Sequence, residues 1–218
     1  MPRRRWAPGE RFYRALIIFL IPLRAWARLE VHGVEELRAP GGVLLVANHD
    51  SSVEPLALAE ATMRVRRPLR FLTRANLWRL WPLGLVLDGT RQIPIERGAG
   101  DLDALEQAVN ALRAGEAVCI FPEGTISRGE RLRARRGVAR LAEAVPDARI
   151  VLGAVSGGTD LVRFPRRPRV VVELFTPRTG QARPGEDHAD LAGRLLGEIR
   201  ERVPPAAAGR RPPARGNT

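Results

Sequence analysis

Lysine is missing altogether: all 36 basic residues among the 218 are arginine. A Schiff-base mechanism and a lysine-bearing phosphate loop are thereby excluded. Any phosphate has to be held by guanidinium forks, whose planar geometry suits phosphate oxygens. Cysteine is nearly absent as well. The one thiol, Cys119, lies within the apolar run at residues 117–121, so it reads as a buried strand position rather than a nucleophile. A lone cysteine cannot form an intramolecular disulfide, and three scattered histidines offer no metal cluster, so metal-free chemistry in a reducing compartment is expected. No Gly-X-Ser-X-Gly elbow occurs, which argues against a serine acyl-enzyme. The apolar stretch ALIIFLIPL at residues 15–23 is too short to span a bilayer comfortably, and Pro22 interrupts it.

What is present is a strongly basic chain of ordinary core content. A formal charge of +12 implies anionic partners, meaning nucleic acid, phosphorylated small molecules or an acidic lipid surface. With 44% hydrophobic residues, the length suits one domain with terminal extensions. Aromatics are sparse but concentrated near the start. Trp6, Phe12, Tyr13, Phe19 and Trp26 interleave with arginines, which predicts an amphipathic helix lying in a membrane interface over residues 1–28. A tail at residues 204–218, rich in Pro, Ala and Arg without periodicity, is expected to be disordered.

Between these ends, residues 29–203, short β-rich runs alternate with amphipathic stretches. Strands are predicted at 43–47, 69–72, 92–95, 117–121, 150–155 and 169–174, and helices at 53–63, 101–114, 137–144 and 187–203. That alternation specifies an α/β domain with a mixed, largely parallel sheet flanked by helices. Sites in such folds gather at the carboxyl ends of strands, where two polar motifs fall.

The first motif is NHDSSVEP at residues 48–55. An imidazole titrates near neutrality and can take a proton from an alcohol, and a carboxylate on its other nitrogen fixes the tautomer. His49 and Glu54 are such a pair, with Asp50 a second candidate acid. Five positions on a regular helix would set them about 140° apart, so residues 48–52 must form a turn, with the helix starting near Ser52. The second motif is FPEGT at residues 121–125, where proline fixes the exit angle, Gly124 permits close backbone approach and Thr125 offers a hydroxyl at a helix start. A third, IPIERG at residues 93–98, presents Arg97 beyond a short strand, and an arginine cluster at 128, 131, 133, 135 and 136 follows FPEGT.

In this order the motifs resemble the glycerophospholipid acyltransferase family typified by 1-acyl-sn-glycerol-3-phosphate acyltransferase, over roughly residues 29–175. NHDSSVEP, RQIPIERG, FPEGT and GAVSGGT at residues 153–159 correspond to its four blocks. The resemblance implies that His49, oriented by Glu54, deprotonates a glycerol hydroxyl for direct attack on the thioester of acyl-CoA or acyl-carrier protein. It implies that Arg97 holds the acceptor phosphate, that Glu123, Gly124 and Thr125 shape the acceptor site, and that Arg135 assists with phosphate. The expected product is phosphatidic acid, with no cofactor or metal beyond the acyl donor. The expected location is the cytoplasmic face of the cell membrane. Three departures stand out: Glu54 where the family usually has aspartate, Ile126 where arginine often follows FPEGT, and Leu152 or Gly153 where the last block usually opens with proline. A different lysolipid acceptor is the near alternative. A nonenzymatic nucleic-acid binder is the distant one, disfavoured because no helix-turn-helix, zinc-finger or RNP-like motif occurs.

Overall fold

Val43, Leu44, Leu45, Val46 and Ala47 are all fully buried, as a strand sandwiched on both faces requires. They form β2 (Val43–Ala47) at the middle of a seven-stranded sheet, with β1 (Arg28–His32), β3 (Leu69–Arg74), β4 (Ile93–Ile95), β5 (Ala117–Ile120), β6 (Arg149–Ser156) and β7 (Arg169–Phe175). The strand order is β1-β7-β6-β2-β5-β3-β4, and every neighbouring pair is parallel except β6 with β7. This computed structural model describes residues 27–38, 40–96, 101–162 and 167–206. The expected N-terminal interfacial helix up to residue 26, Arg97, and the tail from residue 207 lie outside the described residues.

Among the described residues there are five α-helices: α1 (Glu54–Met63), α2 (Leu83–Gly89), α3 (Leu102–Arg113), α4 (Gly137–Ala144) and α5 (His188–Arg202). Alternation along β2 sorts its side chains between two cores. Leu44 and Val46 pack with residues of α3, α4 and α5, such as Leu112, Leu141 and Leu195. Val43, Leu45 and Ala47 pack on the other face with Leu58 of α1 and Leu37. Each such large side chain is worth about 1.5–3 kcal/mol on full burial, so β2 is firmly held on both faces. Cys119 is buried on β5 beside it, and burial pushes its thiol well above the ordinary range, so it packs as a small hydrophobe.

The α/β, largely parallel architecture is the one the sequence predicts, and β2 and α4 have the predicted bounds. The differences are local. α1 begins at Glu54 rather than near Ser52, because Pro55 occupies its first turn and Ser51 folds the preceding residues into a polar turn instead. FPEGT leads into a turn and an exposed loop rather than a helix; α4 starts only at Gly137. β1 and α2 were not predicted. β1 is a half-exposed edge strand carrying charges, with Glu30 bonded to Arg169 on β7, so it lacks an apolar run to announce it.

Candidate active site

Parallel strands β2 and β5 lie side by side, so the segments that leave their carboxyl ends emerge together. NHDSSVEP follows β2 and FPEGT follows β5. Asn48 fixes the first of these segments to β6. Its side-chain amide accepts from Val155 N–H at 2.8 Å and donates to Val155 C=O at 2.9 Å, pairing with the strand as another backbone would.

The turn brings His49 back onto Glu54. Nδ1 of the imidazole lies 3.5 Å from Glu54 Oε2, just beyond hydrogen-bond length, and has no other partner although it is buried. Glu54 is itself held in place: Oε2 accepts the Ser51 backbone N–H at 2.7 Å, and Oε1 accepts the Ser51 hydroxyl at 2.8 Å. Gly158, in the 153–159 block, makes room for it. A Cβ at that position would stand 2.6 Å from Glu54 Oε1 and 2.9 Å from Ser51 Oγ. The missing side chain therefore accommodates a carboxylate one methylene longer than aspartate. The imidazole plane is set by stacking on Phe121, with centroids 4.3 Å apart, and Phe121 stacks in turn on Phe71 at 6.0 Å.

FPEGT grips the backbone of His49. Phe121 to Gly124 close a turn with Gly124 N–H donating to Phe121 C=O at 2.9 Å, Pro122 and Glu123 being its central residues. Gly124 has φ of 67°, which favours glycine, and its open face receives the Arg135 side chain; a Cβ there would stand 2.5 Å from Arg135 Nε. Glu123 Oε2 accepts the His49 N–H at 2.8 Å, and Ser127 N–H donates to the His49 C=O at 2.7 Å. Both sides of the His49 peptide are thus tied to the same loop. Thr125 is partly exposed beyond this turn, and Arg128, Arg131, Arg133, Arg135 and Arg136 are all exposed on the loop that follows.

The two acids near His49 prove to have different neighbours. Glu54 faces the imidazole, whereas Asp50 turns away to Arg200 of α5, which grips both its oxygens at 2.8 and 2.9 Å. Asp50 also accepts from Asn48 Nδ2 at 3.0 Å and from the Ser127 hydroxyl. Arg200 bonds Glu123 Oε1 through Nε at 3.1 Å and through Nη2. The sequence reading missed Arg200, one arginine among 36. A signal was present: Ala192, Leu196 and Arg200 recur every fourth residue on the buried stripe of α5, so a charge stands where the pattern calls for a core residue. Burial pushes the Glu123 carboxyl up and Arg200 opposes that shift. On Arg200 burial works against the charge, but its bonds to Asp50 and Glu123 outweigh it and raise its pKa.

An imidazole with one nitrogen facing a carboxylate has the parts of a general base wherever its other nitrogen meets a substrate hydroxyl. Arg97, expected to hold phosphate, lies outside the described residues. The chain belongs to the Acyltransferase family, whose sequence profile matches residues 28–156. Among similar proteins is the lyso-ornithine lipid O-acyltransferase of Pseudomonas aeruginosa, 40% identical over 98 residues that cover 44% of this chain and 35% of that one. A probable 1-acyl-sn-glycerol-3-phosphate acyltransferase of Mycoplasma pneumoniae is 37% identical over 87 residues, covering 38% of this chain and 32% of that one. The matches thus span about a third of each of these relatives. The crystal structure of the 1-acyl-sn-glycerophosphate (LPA) acyltransferase PlsC from Thermotoga maritima superposes with a TM-score of 0.63 at 18% identity, covering 88% of this chain and 77% of that one, and so shares the fold.

Proposed function

We propose that this protein transfers a fatty acyl group from acyl-CoA or acyl-carrier protein to the free hydroxyl of lysophosphatidic acid, giving phosphatidic acid. The observation that carries this reading is the buried His49 Nδ1 aimed at the Glu54 carboxylate on the site edge of the sheet. With Nδ1 turned to Glu54, Nε2 accepts the hydroxyl proton as the alcohol oxygen attacks the thioester carbonyl. The tetrahedral intermediate collapses by breaking the C–S bond, and the departing thiolate takes the proton back from the imidazolium. Glu54 stabilises that imidazolium without itself taking the proton. Arg97 and Arg135 hold the acceptor phosphate, and Glu123, Gly124 and Thr125 shape its site. The acyl thioester is a co-substrate, and the reaction requires no cofactor or metal.

A second acceptor class is favoured by one observation. The Pseudomonas relative is named for lyso-ornithine lipid and not for a glycerophosphate. The test offers labelled acyl-CoA and acyl-carrier protein with a panel containing lysophosphatidic acid, other lysophospholipids and lyso-amino-lipids. Lysophosphatidic acid is expected to be acylated at least about tenfold faster by kcat/KM than phosphate-free acceptors, since a charged hydrogen bond lost from a binding site is worth about 1.5–3 kcal/mol. Preference for the amino-lipids would move the reading to the second acceptor; no acylation of any member would overturn both.

The proposed substrate is a membrane lipid, the proposed location is the cytoplasmic face of the membrane, and exposed apolar and basic residues support contact with an anionic leaflet. Among the described residues no helix is long and apolar enough to cross a membrane. The crossover from β3 to β4 instead exposes Leu80, Trp81, Leu83 and Leu85, with Trp81 81% accessible. It leaves the same end of the sheet as the two motifs, beside the exposed Arg74 and Arg79. Arginines near an anionic leaflet contribute about 1 kcal/mol each, and inserted apolar side chains add to that. Replacing Trp81 and Leu85 together by serine is expected to weaken co-sedimentation with anionic phospholipid vesicles by about tenfold or more. Unchanged binding would remove this crossover from the membrane surface.

A further inference from the structure

We infer that Arg200 is a positioning residue for the reaction proposed above, acting through Glu123 on the backbone of His49. The inference rests on that reading of His49, but the residue itself lies outside the segment that the family profile matches, residues 28–156. Its place is set by α5, whose apolar stripe carries it under the turns that follow β2 and β5.

All five guanidinium N–H donors are used. Nε and one Nη2 hydrogen go to Glu123 Oε1, the other Nη2 hydrogen and one from Nη1 go to the two oxygens of Asp50, and the last goes to Val203 C=O at 3.2 Å. Such saturation fixes the guanidinium plane, and through it both carboxylates. The side chains of Arg200, Asp50 and Glu123 are 6%, 3% and 1% exposed, so water supplies little of the compensation. Two acids converge here on one cation. Without it they would repel one another in a dry site, and at least one would hold a proton.

The consequence for His49 follows from how Glu123 divides its oxygens. Oε1 takes both bonds from Arg200, which leaves Oε2 for the His49 N–H alone. An ionised Glu123 is a strong acceptor and anchors the peptide that carries the imidazole. Burial, with the nearby Asp50 charge, drives Glu123 toward its neutral form, and the guanidinium is the main group that opposes this, with the His49 N–H adding less. Removing Arg200 therefore weakens the anchor and lets the His49 turn relax, although the bonds of Arg200 go to Glu123, Asp50 and Val203 and not to the imidazole. A displacement of the base by about 1 Å can cost about 100-fold in rate.

The test uses the full chain with Arg200→Lys and Arg200→Met, each compared with the parent for kcat, acceptor KM and melting temperature. Samples labelled with ¹⁵N-histidine carry only three histidine amides, at His32, His49 and His188, assignable by single His→Gln changes. The expected result is a kcat lower by about tenfold with Lys, which keeps the charge but loses the fork, and by about 100-fold with Met. KM should stay within about threefold, and the His49 amide resonance should move in both variants while that of His32 does not. Should the Met variant not fold, the Lys variant decides. A folded variant that keeps kcat within about threefold, or that loses kcat with the His49 amide unmoved, overturns the inference. If the parent acylates no acceptor, the functional reading fails, and the His49 amide shift alone still decides whether Arg200 positions that residue.

Discussion

His49→Ala is expected to lower kcat for acyl transfer by about 10³-fold or more, with acceptor and donor KM changed no more than about threefold. General-base catalysis contributes typically about 10²–10⁴-fold, and here no second imidazole is at hand: His32 is on the edge strand β1 and His188 begins α5, where it bonds Glu143. The split between kcat and KM follows from the role. A base that acts on the hydroxyl proton in the transition state contributes little to holding the phosphate or the acyl chain. Because the His49 ring also stacks on Phe121, truncation removes packing, so His49→Gln belongs beside it as a variant of more similar volume. Thiol release from acyl-CoA, followed with saturating acceptor, measures the effect. If either folded variant transfers acyl groups within about threefold of the parent rate, His49 is not the base.

The second large effect is expected at Glu54. Glu54→Gln should cost about 10²–10³-fold in kcat, and Glu54→Asp distinctly less. A glutamine amide turned toward His49 donates to Nδ1, which leaves the ring proton on Nε2, the nitrogen that has to accept from the alcohol. Aspartate keeps the charge but is one methylene short of both His49 and Ser51, whose N–H and hydroxyl now hold the two Glu54 oxygens. Gly158 makes the comparison sharper. Its absent side chain is what leaves room for the longer carboxylate, so residue 54 and residue 158 form a matched pair contributed by two separate motifs. Steady-state rates for the two variants, taken with their melting temperatures, decide the matter; equal losses with Asp and Gln would point to chain length rather than charge.

Much of this was legible in the sequence because the central elements are uniform. β2 is an uninterrupted apolar run, and α3 repeats apolar residues at helical spacing behind the Asp101 cap, whose carboxylate accepts the Ala104 N–H at 3.0 Å. The turn demanded by the spacing of His49 and Glu54 was legible for a geometric reason: a helix would hold them apart. Which acid faces the imidazole was not. Asp50 adjoins His49 and Glu54 lies five positions on, yet the more distant acid is the one that faces the ring, because Arg200 draws Asp50 the other way. Arg200 itself was hidden by composition, since one arginine among 36 carries no signal until its place on the apolar stripe of α5 is considered. β1 was hidden by exposure, because an edge strand that carries Arg28 and Glu30 among its five residues has little hydrophobic pattern to read.

The pairing of β1 with β7, and of Asp50 with an arginine 150 positions further on, also bears on how the chain acquires its activity. Contacts so distant in sequence require large loops to close before they stabilise anything, which places them late in folding and makes it slow. The His49 turn is tied down by α5, the most C-terminal helix among the described residues, so a partly assembled domain holds its base loosely. Acyl transfer is therefore expected to be lost at or before the denaturant concentration that unfolds the domain as a whole.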